Sequence, residues 1–435
     1  HVTFTNFLRW ELGKADDTNE RPIEMQLADG GATCFATNGR HSDFSHHVAF
    51  AAAVTSETGC QQAGCATGAA DFLGPAKSHV APRAVIHPER WPATTNTPAA
   101  DPCAACRLGF TLAPGESRTI TLLLGEADSQ AAAEAILAPY HQPEHAGQQL
   151  AQVRKFWNNL TGAVQIETPS PALNHLVNGW LVYQNLSCRM WGRSSFYQAG
   201  GAYGFRDQLQ DAAALMHHDP QLTRAQILLH AANQFAEGDV LHWWHPPASR
   251  GLRTRFADDL LWLPLIATDY AATTGDDAIW DEAARYLTAR DLEPGEQEVL
   301  LKPTDSGTNG SIYEHCSRAI DRALDRCGAI GLPLIGCGDW NDGMNRVGVN
   351  GKGESVWMGF FLYRILDQFV PVCRGRHDEQ RADRYEQRCR EFQQVLIDVG
   401  WDGRWFRRAF YDDGTPLGSA DNDECQIDAL VQAWS

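Results

Sequence analysis

Arg118-Thr-Ile-Thr-Leu-Leu-Leu-Gly125, followed closely by Ser129-Gln-Ala-Ala-Ala-Glu-Ala-Ile-Leu-Ala138, is where this chain changes its period. The first run mixes β-branched and apolar residues after a Pro114-Gly-Glu turn and reads as a strand. The second is Ala-rich, with Ser129 placed as an N-cap, and reads as a helix. Upstream, short apolar runs such as His47-His-Val-Ala-Phe-Ala-Ala-Ala-Val54 alternate with turn residues, which predicts an all-β sandwich over residues 1–128. The Pro-, Thr- and Ala-rich stretch 91–104 reads as a loop.

Downstream the pattern stays helical. Gln148 to Leu160 is one helical stretch, and residues 129–168 read as a helical linker. After Pro169 come helix-length amphipathic segments at 171–190, 207–217, 221–236, 258–275, 277–289, 311–328, 355–371 and 379–399. Gly-, Pro- and aromatic-rich loops separate them, and long helices in antiparallel pairs suggest an α/α arrangement over 169–435. Trp401-Asp-Gly-Arg-Trp-Phe-Arg-Arg-Ala-Phe-Tyr411 alternates and reads as a short hairpin.

At 435 residues, with 43% hydrophobic content, 14 Trp and 18 Phe, the chain suits two or three domains with large cores. A net charge of −18 argues against nucleic acid or an anionic membrane as a direct partner. It leaves room for phosphate, which a few local Arg can bind. No window approaches the ~18 consecutive apolar residues of a membrane span. No basic start followed by an apolar run marks a signal peptide. The chain opens on His1 and stops at Gln432-Ala-Trp-Ser435 inside a helix-like stretch, so both ends read as cuts through a larger protein. Of 12 Cys, Cys103-Ala-Ala-Cys106 forms the CxxC; Cys60 and Cys65 would complete a four-thiolate zinc site. The irregular spacing favours free thiols, and no metal is expected.

Three islands carry the chemistry. Gly338-Asp-Trp-Asn-Asp-Gly-Met-Asn345 sets two carboxylates, an indole and two amides between glycines. Carbohydrate sites need a flat aromatic face for the ring, polar groups for hydroxyls and a carboxyl acid for the leaving oxygen. The alternative is that Asp339 and Asp342 only form Asx-turns and cap a helix. The second island is Tyr197-Gln-Ala-Gly-Gly-Ala-Tyr-Gly-Phe-Arg-Asp-Gln-Leu-Gln-Asp211. The third is Gly238-Asp-Val-Leu-His-Trp-Trp-His-Pro-Pro247 with Arg253-Thr-Arg-Phe-Ala-Asp-Asp259. His242 and His245 could bind zinc, but Trp243-Trp244 between them favours a sugar-stacking wall. No Walker loop, Rossmann fingerprint or Gly-x-Ser-x-Gly is present.

Together with Gly331-Leu-Pro-Leu-Ile-Gly336 and Gly351-Lys-Gly-Glu-Ser-Val-Trp357, these islands resemble the inverting glycoside phosphorylases related to cellobiose phosphorylase. The likeness is greatest to the phosphorylase-like C-terminal region of bacterial cyclic β-1,2-glucan synthases, then to soluble 1,2-β-oligoglucan phosphorylases. It runs from about Asp43-Phe44 to Trp434. It implies an N-terminal β-sandwich, a helical linker and an (α/α)6 barrel with its site at one end. That barrel needs more helices than are read here, so its C-terminal part is expected to lie beyond Ser435. Cellobiose-type members carry an Arg where this chain has Gly201, which turns the expectation toward β-1,2-glucan.

By the same resemblance Asp342 is the general acid, Trp340 lines the donor sugar subsite and Asp207 holds donor hydroxyls with Arg206 beside it. Asp339, Asn341, Trp243, Trp244 and His245 complete the expected substrate contacts. Asp207 and Arg206 could instead form a structural ion pair. Arg253, Arg255 and Arg346 are the phosphate candidates, although Asp258-Asp259 could pair with the first two. Glu354 and Glu314-His315 are weaker candidates, with capping the alternative. A hydrolase would need a second carboxyl to activate water. Phosphate is already a nucleophile, so no cofactor is expected beyond phosphate as co-substrate. The expected partners are a β-glucan oligosaccharide, phosphate and glucose 1-phosphate, with a homodimer as candidate assembly. The expected location is cytoplasmic, at the inner-membrane face if the chain belongs to a glucan synthase. The rival readings are an inverting hydrolase and a non-catalytic glucan-binding module.

Overall fold

The computed structural model describes residues 1–13, 23–28, 32–39, 44–55, 61–92, 101–142, 144–193, 200–247 and 249–435. The chain divides into two compact units, His1–Phe156 and Trp157–Ser435. Of the sequence-based expectations, Cys60, loop residues 93–100 and Tyr197-Gln198-Ala199 lie outside the described residues.

The first unit holds β1 (Val2–Arg9), β2 (Glu24–Ala28), β3 (Thr33–Thr37), β4 (Val48–Val54) and β5 (Gln61–Gly68). These are followed by α1 (Ala69–Leu73), α2 (Arg83–Ile86), β6 (Pro102–Phe110), β7 (Thr121–Ala127) and α3 (Gln130–Leu137), and the chain passes into the second unit within α4 (His145–Gly162). Residues 102–104, expected in a loop, open β6. The strands form a three-stranded sheet, β1-β6-β5, and a four-stranded sheet, β2-β3-β4-β7. Cys34, Ala49 and Ala51 of one sheet pack on Cys65, Ala104 and Cys106 of the other. The outer face of the larger sheet, with Phe35 and Phe50, is covered by Ala133 and Leu137 of α3. Phe72 and Leu73 of α1 cover the smaller. Sheets buried on both faces explain why β4 is apolar throughout rather than alternating. Ser129 accepts from the Ala132 amide and starts α3 as expected.

The second unit is mainly helical. A helical run through α5 (Pro171–His175) and α6 (Leu181–Gln184), widened at 176–180 and 185–191, leads to β8 (Tyr203–Gly204) and α7 (Phe205–Leu215). Then come α8 (Pro220–Ala231), β9 (Leu241–His245), β10 (Arg250–Thr254) and α9 (Trp262–Thr274). They are followed by β11 (Ala283–Thr288), β12 (Glu298–Leu301), β13 (Thr304–Ser311) and α10 (Ile312–Leu324). The unit ends with β14 (Glu354–Ser355), α11 (Val356–Gly375), α12 (Glu379–Val395), β15 (Ala409–Phe410), β16 (Pro416–Leu417) and α13 (Ala429–Trp434). Helix ends follow their caps. Asp219 caps α8 ahead of Pro220, and Gly275 ends α9 at φ 72°. Ser311 and Glu314 close a reciprocal capping box on α10, so Glu314 is structural. α11 is long and apolar enough to cross a membrane, yet Trp357, Phe361, Leu362 and Phe369 bury it in the core.

Two expectations fail here. The helix expected at 277–289 is a short 3-10 turn, Asp277–Asp281, followed by β11, which pairs antiparallel with β13. Exposure alternates with period two from Ala283 to Tyr286 and breaks at the register irregularity before Leu287, and pairing with a distant strand decides the conformation. Nor is 401–411 one hairpin. Trp401 bridges Phe406, but Ala409-Phe410 belongs to a separate sheet ordered β14-β15-β16.

Candidate functional site

α7, α9 and α11 all begin near one set of loops, and the three sequence islands are those loops. β8 pairs Tyr203 with Trp244 and Gly204 with Trp243, which fixes where α7 starts. Phe205 is buried at that start and turns Arg206 inward. A Cβ on Gly204 would lie 2.2 Å from Asp207 Oδ2. Glycine therefore lets the Asp207 carboxylate fold back over the helix N-terminus, where the dipole favours it.

Arg206 is the hub. Its Nη1 donates to both oxygens of Asp258 at 3.3 and 3.2 Å and to the Asp339 carbonyl at 3.1 Å. Its Nη2 donates to Asp342 Oδ1 at 2.7 Å. Burial opposes the guanidinium charge, but Asp258, Asp259 and Asp342 outweigh it and hold Arg206 firmly protonated. Asp258 is fully buried and also accepts from Trp262 Nε1 at 3.0 Å. Burial pushes its carboxyl up against the pull of Arg206. Beside this group His242 stacks on Phe256 with centroids 4.4 Å apart, and its Nδ1 lies 2.7 Å from Asp259 Oδ2. Burial lowers the His242 imidazole, but Asp259 more than compensates and the net shift is upward.

The octapeptide divides its labour. Asp339 is fully buried, held by Arg408 at 2.5 and 2.7 Å and by Ser355 Oγ at 2.8 Å. It also accepts from the Asn341 amide at 3.2 Å. The Asn341 side chain accepts from the Gly343 amide at 2.9 Å and caps the turn Asp342–Met344. Turn-making thus falls to Asp339 and Asn341. Asp342 keeps a side chain 59% exposed, its carboxylate held by Arg206. Trp340 beside it is 44% exposed.

A cleft of about 350 Å³ is lined by Arg189, Arg193, Asp207, Gln208, Trp243 and His245. That volume lies in the range of about 300–1,000 Å³ typical of ligand pockets. Arg189 Nε donates to Asp211 at 2.8 Å and its charge lies 3.6 Å from Asp207. Trp243 and His245 present their rings edge to face on the cleft side of β9.

Several expected ligands are placed elsewhere. Asp339 cannot reach a sugar, because its carboxylate is sealed by Arg408. Trp244 is 2% exposed and stacks on Tyr203, since successive strand residues face opposite ways. Arg253 is fully buried, and all its N–H groups meet Asp239, Glu237 or the carbonyls of Ala289 and Arg290, so it holds no phosphate. Arg255 turns to the carbonyls of Leu292, Glu293 and Glu296. Neither Arg pairs with Asp258-Asp259, which serve Arg206 and His242. Arg206 pairs with Asp342 and Asp258 rather than with its neighbour Asp207. Arg346 remains exposed just beyond Asp342. Glu354 accepts from the Ile330 and Leu332 amides and is structural. Sequence reasoning does not single out Arg408, which lies in an alternating run, or Arg189, which lies in the helical stretch 185–191; neither pattern signals a distant partner.

Residues 156–435 match the catalytic domain of the glycosyl hydrolase 94 superfamily. Residues 1–143 match the glycosyl hydrolase 94 supersandwich domain. Among curated proteins, the chain is 42% identical over 429 residues to the cyclic beta-(1,2)-glucan synthase NdvB of Rhizobium meliloti (strain 1021), covering 99% of this chain and 15% of that protein. It is 30% identical to a solabiose phosphorylase of Paenibacillus borealis, covering 89% of this chain and 46% of that one. It is 25% identical to an N,N'-diacetylchitobiose phosphorylase of Vibrio furnissii, covering 75% and 41%. The chain therefore spans less than half the length of each of these relatives.

Proposed function

The chain belongs to the glycosyl hydrolase 94 superfamily, and from that premise we propose that it carries out inverting phosphorolysis of a β-linked glucan, and its reverse, in a helical unit that forms part of an (α/α)6 barrel. The observation that carries this reading is the contact of Arg206 Nη2 with the exposed Asp342 carboxyl, one residue along α7 from the cleft-lining Asp207. Trp243 stacks on the sugar and Asp207 accepts its hydroxyls. Asp342 gives its proton to the glycosidic oxygen as the bond from that oxygen to the anomeric carbon breaks. Phosphate attacks the same carbon from the opposite face, so a β-linkage yields α-glucose 1-phosphate.

A hydrolase would need a second carboxylate open to water on the far face of the sugar. Asp258 is sealed by Arg206 and Trp262 and does not fit that role. The relatives named as phosphorylases favour phosphate over water, and the 42% identity to a cyclic beta-(1,2)-glucan synthase favours the β-1,2 linkage. In such a protein this segment would work on the cytoplasmic side, where phosphate and sugar phosphates are found. The test is incubation with linear β-1,2-glucan oligosaccharides with and without phosphate. Phosphate-dependent release of α-glucose 1-phosphate is expected. Phosphate-independent release of glucose would make the site a hydrolase, and binding without turnover would make it a glucan-binding module.

A further inference from the structure

The first unit carries a side-chain group with no part in the chemistry above. His46 ends the turn Phe44–His46, His47 leads into β4, and Asp128 follows β7, which pairs with β4 from Val48↔Ala127 onward. On a strand, adjacent His46 and His47 would face opposite sides. The turn, closed by the His47 amide on the Phe44 carbonyl at 3.0 Å, brings their rings together with centroids 4.4 Å apart. One ligand atom from each of His46, His47 and Asp128 lies within 4.8 Å of the others.

The orientation of His47 points to a metal. Its Nδ1 is bonded to Glu126, which leaves Nε2 aimed toward Asp128 Oδ1 at 3.8 Å. A metal-ligating imidazole characteristically gives its other nitrogen to a carboxylate, which fixes tautomer and ring direction. Two donors each ~2.0–2.1 Å from a tetrahedral Zn²⁺ stand about 3.3 Å apart. The His47–Asp128 gap therefore needs to close by about half an ångström, and the pairs that include His46, which lie within 4.8 Å, by about 1.5 Å at most. Two imidazoles and a carboxylate suit Zn²⁺ better than Mg²⁺ or Ca²⁺, which prefer all-oxygen sets.

We propose that His46, His47 and Asp128 form a Zn²⁺ site on the β-sandwich, with Glu126 orienting His47 and water completing the coordination. The site clips the turn before β4 to the segment between β7 and α3, whose N-cap Ser129 is the next residue.

The test is calorimetric titration of the chelator-treated 435-residue chain with Zn²⁺. One equivalent is expected to bind, undisturbed by excess Mg²⁺ or Ca²⁺. Asp128→Asn, which keeps shape, and His47→Ala should each weaken binding at least tenfold. Glu126→Gln should weaken it within the ~10–100-fold range seen for such orienting partners. Co²⁺ in the same site should show no thiolate charge-transfer absorption, which separates it from the buried Cys65 and Cys106. Absence of binding, unchanged affinity in the Asp128 and His47 variants, or thiolate absorption with Co²⁺ would each overturn the assignment.

Discussion

Arg206 Nη2 donates to Asp342 Oδ1 at 2.7 Å across 136 residues of sequence, joining the start of α7 to the loop before α11. The guanidinium is almost completely buried while the carboxyl is more than half exposed. A rigid cation thus holds a carboxyl that faces solvent and is free of any capping duty. Because the carboxyl is so exposed, the pair contributes little to stability by itself.

Asp342→Asn keeps the shape and removes the proton donor. General acids contribute typically ~10²–10⁴ in rate. Glucose 1-phosphate formation from β-1,2-glucan oligosaccharides should fall by at least that lower bound, with the unfolding midpoint nearly unchanged. A variant that keeps more than about a tenth of the wild-type rate, far above that loss, would remove Asp342 from the role of acid.

Trp243 and Trp244 are neighbours with opposite expected phenotypes. Trp243→Ala opens the cleft wall, so glucan affinity should fall while the fold persists. Trp244 is buried against Tyr203, Phe205 and His230, and truncating a buried Trp costs roughly 3–5 kcal/mol. Urea unfolding together with oligosaccharide binding distinguishes them. Equal stability losses at both positions would mean that Trp243 is core and not cleft.

The break between β and α regions was legible because the period changes near Gly125 and Ser129, and a local pattern suffices to read it. The 277–289 segment was not, because Ala284, Arg285 and Leu287 owe their strand conformation to pairing with β13, a non-local cause. Within the octapeptide, composition could not rank Asp339 against Asp342. What separates them is Arg408, 69 residues downstream of Asp339, which seals one carboxylate and leaves the other open. Arg253 misled for the same reason: its Asp239 partner precedes it by 14 residues on the previous strand's approach, and only the fold shows every donor taken. Local chemistry singled out loops that the fold brings together, and long-range pairing assigned the side chains within them.

Asp339→Asn tests that distinction. It removes the charge from a buried, two-pronged pair and leaves Arg408 with only the partly exposed Asp428, 3.3 Å from its Nε. Breaking such a pair by removing one partner costs about 3–5 kcal/mol. The urea midpoint should drop sharply, in contrast to Asp342→Asn. A fully stable Asp339→Asn protein with impaired glucan binding would instead restore Asp339 to the substrate site.

Two buried histidines set the acid side of the stability profile. His230 Nδ1 meets the Gln226 carbonyl at 2.7 Å amid Phe205 and Trp244. His315 Nδ1 meets Gln234 Oε1 at 2.7 Å, and its Nε2 faces the Ala284 carbonyl at 3.1 Å. Burial pushes both imidazoles down to about 4. Between that value and the ordinary value of 6.5, each is neutral in the fold and protonated in the unfolded chain. The unfolded state then binds more protons, so stability rises with pH across this window. The contribution is present above about 6.5 and is lost as pH falls toward 4, at up to about 1.4 kcal/mol per pH unit for each histidine. His242, shifted upward, acts in the opposite sense and above its ordinary value, so it does not overlap with the two histidines. Asp258, pushed up to about 7 by burial, does overlap: it holds a proton in the fold that the unfolded chain releases above 3.8, so it offsets the effect of one histidine and leaves that of the other. Urea midpoints measured from pH 6.5 down to pH 5 should therefore decline before most carboxylates titrate. His230→Phe should flatten that decline whatever its effect at neutral pH. A wild-type midpoint that stays level across this interval would mean that at least one of the two histidines takes up a proton inside the fold.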